Sequence, residues 1–258
     1  MIFILITLAG FWAGLQNALA GGGSFITLPV LIFSGMSPLA ANITSAIALF
    51  PGQLSSGFVG RKLVSGAGNL SFRGLCLISI AGGAVGALLL LKTPSTVFTA
   101  MVPWLVLFAT AVFAWGSFRR RPAAPATQPG TAPDGRSHLV LGVQGAAVAQ
   151  FAIAIYGGYF GGGIGFLMLA ALTLAGLPMR NAGATKNALA AAMNASAVLL
   201  LVTSPQVHWL AGIALGAGAI AGGLCGNWAL RRVNEKLLRA VIVAIGLALT
   251  IVLFVKPL

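Results

Sequence analysis

Three sets of residues recur in this chain at one spacing. Gly21, Gly22 and Gly23 match Gly161, Gly162 and Gly163, and 161 minus 21 is 140; Pro38 and Pro178 stand the same 140 apart, as do Gly82, Gly83 and Gly86 from Gly222, Gly223 and Gly226. A single match would carry little in a sequence with 35 glycines. Three anchor groups in one ungapped register mark a duplicated unit, which restricts the fold to arrangements that build one set of elements twice.

The duplicated unit is apolar. Hydrophobic residues make up 59% of the 258 and charged residues 7%, where soluble domains carry roughly a quarter charged residues. Uncharged runs long enough to cross about 30 Å of hydrocarbon recur from end to end, so the chain reads as an all-α polytopic integral membrane protein. Each copy divides into five segments, near 1–20, 24–36, 39–60, 74–91 and 97–117, then near 139–160, 164–177, 182–203, 210–230 and 240–255. Residues 1–20 lack the basic start of a signal peptide, and their counterpart in the second copy argues for a span. The expected organisation is a first membrane repeat over 1–118, a flexible Pro-, Ala- and Arg-rich linker over 119–138 and a second repeat over 139–258.

Basic residues give the relation between the copies, because cytoplasmic loops collect Lys and Arg. Arg61, Lys62 and Arg73 follow the third segment of copy one, while 204–209 in copy two has no Lys or Arg. After the fourth segment the bias reverses, with Lys92 alone against Arg231, Arg232, Lys236 and Arg239. Arg180 lies beside Pro178, with no basic residue near Pro38. Matched loops therefore lie on opposite faces, as an odd number of crossings per copy requires. The expected fold is two inverted-topology repeats, roughly eight full spans plus two short broken or re-entrant helices, with the linker cytoplasmic and both termini extracytoplasmic.

The second segment of each copy is short: 24–36 and 164–177 hold 13 and 14 residues, roughly 20 Å as helix. Each follows a triple glycine, which breaks or turns a helix. A paired, glycine-interrupted short segment points to a transporter's binding site, where the helix start opening at Ser24 and its counterpart after Gly163 would aim positive dipole ends at an anion. Close helix packing by small residues is the other reading of these glycines. The third segments add Asn42, Thr44, Ser45, Gln53, Ser55 and Ser56, with Pro51 and Gly52 interrupting the run, and in copy two Asn181, Thr185, Lys186, Asn187 and Asn194. Polar side chains are costly in hydrocarbon and face the bundle interior, where they either donate to an oxyanion or tie helices together. Lys186 is the one charged residue set well inside a span; it reads either as the counter-charge of an anionic substrate or as a snorkelling side chain.

Absences narrow the function. The acids are Asp134 and Glu235 alone, both in loops, and His138 and His208 flank segments. Catalytic sets and metal-ligand clusters need residues that this chain does not gather, so neither an enzyme nor a cofactor or metal site is expected. The net charge of +13 orients loops in a membrane and does not imply a nucleic-acid partner. The expected partners are lipid and a small anion; assembly, a homodimer included, is open.

The strings NALAGGGSFITLPVLIFSGMSPLAANITSAIALFPGQLSSG, TPSTVFTAMVPWLVLFAT, YGGYFGGGIGFLMLAALTLAG and TKNALAAAMN resemble the sulfite exporter TauE/SafE family, also called the sulfonate uptake permeases, over nearly the whole chain. The resemblance implies a permease of bacterial inner membranes for sulfite, a sulfonate or a related organic anion. It places the glycine breaks at Gly21–Gly23 and Gly161–Gly163 and an Asn-x-Thr-Ser element at Asn42, Thr44 and Ser45. Many second halves of the family carry Thr-Ser where this chain has Thr185, Lys186 and Asn187. A passive anion channel, or a non-transporting membrane assembly partner on the same scaffold, are the alternative readings.

Overall fold

A computed structural model describes residues 1–19, 22–67, 70–118, 142–229 and 235–255. The expected linker 119–138 and Gly21 lie outside these residues, as do Asp134, His138, Arg231 and Arg232. The described residues form ten α-helices: α1 (Ile2–Leu19), α2 (Ser24–Phe33), α3 (Pro38–Val59), α4 (Phe72–Lys92), α5 (Ser95–Phe118), α6 (Val143–Tyr159), α7 (Ile164–Leu174), α8 (Met179–Leu201), α9 (Trp209–Ala229) and α10 (Glu235–Val255). Helices are what a backbone in lipid requires, since each satisfies its own amides. Pro51 does not interrupt α3, which runs through it; Ser55 and Ser56 hydroxyls donate to the Gly52 carbonyl at 2.8 and 3.0 Å.

The copies are interlocked. α1 packs chiefly on α9 of the other copy, and α4 on α6, with the same exchange relating α3–α9 to α4–α8 and α1–α2 to α6–α7. Swapping each helix for the one five places later maps these pairs onto one another, the signature of a two-fold relation.

Helix directions show that the two-fold inverts the copies. Gly10 and Gly14 of α1 face Leu215 and Ala219 of α9, so these helices run parallel; Gly212, Gly216 and Gly223 face Thr44, Ala48 and Gly52, so α3 runs with them. In the same way Gly82 and Gly86 of α4 face Ala154 and Gly158 of α6, so these two run parallel, and α4 also packs on α8, where Gly83 lies against Met193. α3 and α8 are antiparallel: Gly57 lies against Asn187, Gly60 against Ala184, and Asn181 Nδ2 donates to the Leu63 carbonyl at 3.1 Å. Thus α1, α3 and α9 point one way and α6, α8 and α4 the other, as the flipping loop charges predict. Arg61, Lys62, Arg73 and Arg180 all fall at one end of the bundle, and Met1, Met36, Lys92 and His208 at the other.

Glycine sets the interhelical distance where GxxxG spacing predicts it. A Cβ on Gly222 would lie 1.8 Å from the Phe11 carbonyl oxygen, one on Gly86 2.1 Å from that of Ile155, and one on Gly158 2.3 Å from that of Gly83. These backbones touch with no side chain between them. By length and apolarity α4 and the Ser95–Trp115 stretch of α5 suffice to cross a membrane; α3 and α8 are as long, and their polar residues are what dilute them.

Candidate functional site

Each copy contributes one short helix that starts in the interior. Gly22 takes φ +88, and Gly161 and Gly163 take φ +80 and +74. L side chains avoid this left-handed region, so glycine allows the turn by which α2 and α7 fold back beside α1 and α6. Asn17 of α1 receives the Gly23 amide at 2.8 Å and Gln16 Nε2 donates to the Gly22 carbonyl at 2.9 Å, tying the first turn down. Phe113 of α5 lies between the two helix starts, 5.9 Å from the Phe25 ring and 4.4 Å from that of Phe166.

A cavity lies where these starts meet α3 and α8. Its polar lining is Asn17, Ser24, Gln53, Ser56, Lys186 and Asn187, with Gly22, Gly161, Ile164, Gly165 and Ala190 between them. Residues from both copies build it, as a site at a repeat interface requires. Its volume is about 40 Å³, on a measure by which one water needs roughly 10–15 Å³. It holds a few waters or one compact ion.

The chemistry of the lining is one-sided. Lys186 is 6% exposed, and no described residue forms an ion pair or hydrogen bond with it. Asn17 spends its carbonyl oxygen on the Gly23 amide, and Gln53 spends its own on Asn194 Nδ2 of α8. What these two amides have left to offer the cavity is NH2, a donor. The first turns of α2 and α7 carry no side-chain cap, whereas Ser37 and Ser71 cap α3 and α4. Within those turns the Phe25, Ile26 and Phe166 amides donate to the Gly22, Gly23 and Gly163 carbonyls at 3.0, 3.1 and 3.1 Å, so what each helix start brings to the cavity is its positive dipole end. No carboxylate is among the described residues that line the cavity. An ammonium, amide donors and two helix starts around a small volume favour an anion over a cation or a neutral solute.

Of the residues singled out from sequence, Gly22, Ser24, Gln53, Ser56, Gly161, Lys186 and Asn187 meet at this cavity. Others sit elsewhere with partners of their own. Asn42 Nδ2 donates to the Tyr159 carbonyl at 3.0 Å, joining α3 to the end of α6. Thr44 Oγ1 accepts from the His208 amide at 3.1 Å, and Thr185 Oγ1 accepts from the Ser65 amide at 3.1 Å, so each anchors the chain just ahead of a helix of the other copy. The Ser45 hydroxyl shares a hydrogen bond with that of Thr27. Gly23 is held by Asn17, Gly162 faces the Phe160 ring, and Gly163 packs on Ala109. Sequence reasoning missed Asn17. An amide inside the apolar run of α1 was the available signal, the same one that marks the third segments.

The model of the family described as Sulfite exporter TauE/SafE matches residues 6–253. The chain is 29% identical over 250 residues to the probable membrane transporter protein YfcA of Escherichia coli strain K12, covering 95% of this chain and 86% of that protein. It is 28% identical over 253 residues to a probable membrane transporter protein of Haemophilus influenzae, covering 96% and 93%. No solved structure matches the chain. An all-helical bundle of two inverted copies with an interior polar cavity, matched almost from end to end by one family model, belongs to the sulfite exporter TauE/SafE family of membrane transporters.

Proposed function

We propose that this protein is a secondary transporter of a small oxyanion, sulfite or a short sulfonate in the first place, bound at the central cavity and moved by alternating access between the inverted copies. The observation that carries the reading is the donor-rich lining: Lys186 buried with no carboxylate among the described residues around the cavity, and Asn17 and Gln53 with their acceptors already engaged. The cavity volume supports a compact ion, and the family description supports sulfur chemistry. Purified protein in liposomes is expected to take up sulfite or methanesulfonate with saturation and counterflow. Flux without counterflow would identify a channel, and no flux of sulfite, methanesulfonate, sulfate, thiosulfate or acetate would remove the reading. In the same liposomes Asn187→Asp is expected to lose at least about tenfold in uptake. A like charge at 4 Å and an effective dielectric of 20 costs about 4 kcal/mol, and pairing of the new carboxylate with Lys186 would neutralise the site instead.

The end bearing Arg61, Lys62, Arg73 and Arg180 is taken as cytoplasmic, in a bacterial inner membrane, which puts both termini outside. A reporter active only in the periplasm, fused after Leu258, is expected to be active. Activity of a cytoplasm-only reporter at that position would reverse the orientation.

A further inference from the structure

The inverted symmetry is broken at the place where it matters most for passage. α3 and α8 cross antiparallel, and the copies' equivalent positions on them, Gln53 and Met193 (193 minus 53 is 140), meet at the crossing, since Asn194 next to Met193 bonds Gln53. Toward the basic end Gln53 looks into the cavity. Toward the other end its counterpart is a thioether: Met193 is 0% exposed, and a Cβ on Gly157 would lie 2.4 Å from its Sδ and 3.3 Å from Ile164. Gly157 is itself the counterpart of Asn17, as 157 minus 17 is 140, and Lys186 corresponds in the same way to Ala46. Five of the six polar groups that make the cavity on one side of the crossing, Ser56 excepted, are thus replaced on the other by an apolar or absent side chain; Ser56 corresponds to Ser196, whose hydroxyl is spent on the Ile80 and Met193 carbonyls at 2.8 Å. Ile164 belongs to both places, lining the cavity and closing over Gly157.

We infer that Met193, with Ile164, is the closure that separates the anion cavity from the far end of the bundle, and that the transport path runs through the space its side chain fills between α6 and α8. An unbranched thioether suits this task. It fills an irregular gap beside a glycine yet changes rotamer without moving a backbone, and an apolar plug offers an anion nothing to bind. Gly157 is glycine because any Cβ there would occupy the room that Met193 needs.

The inference rests on the carrier reading, and the test separates the two. Chloride efflux and potassium efflux are measured from liposomes holding wild type, Met193→Ala, Ile164→Ala or Met193→Leu, with sulfite and methanesulfonate uptake by wild type measured alongside. Met193→Ala and Ile164→Ala are expected to raise chloride efflux at least tenfold over wild type, with chloride favoured over potassium because Lys186 faces the opened path; Met193→Leu, which keeps the volume, stays tight. Alanine variants as tight as wild type, or leaks equal for chloride and potassium, overturn the closure. If Met193→Ala does not fold, Ile164→Ala alone decides, because it removes the other half of the same seal. A wild type that moves neither sulfite nor methanesulfonate counts against the carrier reading whatever the variants do.

Discussion

Replacing Lys186 by alanine or glutamine is expected to abolish anion uptake while the protein stays folded in the membrane. In the free protein the ammonium has no carboxylate beside it among the described residues, so removing it orphans no counter-charge there and relieves a buried charge. The bound state is different. An anion in the cavity is desolvated, and truncating one partner of such a pair costs about 2–5 kcal/mol or more, which is on the order of a hundredfold in affinity. Glutamine keeps much of the side chain's length and a donor, so its failure isolates charge from hydrogen bonding, while Lys186→Arg keeps charge in a wider, planar group that a cavity of about 40 Å³ has little room for. Uptake assays on protein of unchanged yield and elution read the result; wild-type uptake by both the alanine and glutamine variants would end the counter-charge role.

Gly222→Val is expected to be the most damaging single change away from the cavity. Its Cβ would sit 1.8 Å from the Phe11 carbonyl oxygen and 2.9 Å from the Leu15 amide. The obstacle is backbone, so α1 and α9 must separate along the tightest seam between the copies, and overpacking of this kind costs about 3 kcal/mol or more. Gly183 makes the contrast. It lies inside α8 with nothing within 4 Å of its Cβ direction, so Gly183→Ala is expected to stabilise by about 1 kcal/mol through helix propensity alone. Thermal unfolding in one detergent should move down for the first and up for the second. A Gly222→Val protein as stable as wild type would mean that the α1–α9 seam is looser than described.

Much of the fold was legible because bilayer physics writes itself into sequence one segment at a time. The apolar runs anticipated the ten helices of the described residues, and the triple glycines anticipated the short α2 and α7, because charge is costly in hydrocarbon and glycine readily takes the left-handed turn at Gly161 and Gly163. Inversion was legible from loop charges, since Arg and Lys are retained on one face. Lys186 and Asn187 were legible as polar groups set in a span. Pro51 departs from the expectation: it stands inside a continuous α3 that packs against α9 through Gly52 and Ala219, because neighbouring helices hold a membrane helix together through a proline.

The site itself divides along the same line. Sequence alone determined that this chain is a helical membrane protein made of two inverted copies with polar residues on the third segment of each, because hydropathy, turn chemistry and loop charge act locally along the chain. Only the tertiary structure decided which polar residues share a cavity. Asn42, Thr44 and Thr185 are as polar and as deep as Asn187, yet their hydrogen bonds go to backbone of the other copy. Asn17 and Gln53 became donors toward the cavity only because Gly23 and Asn194 take their carbonyl oxygens. Whether a buried amide holds the fold or faces a ligand depends on which distant group satisfies it first, and pairings such as Gln53 with Asn194 exist only once the two copies have interlocked.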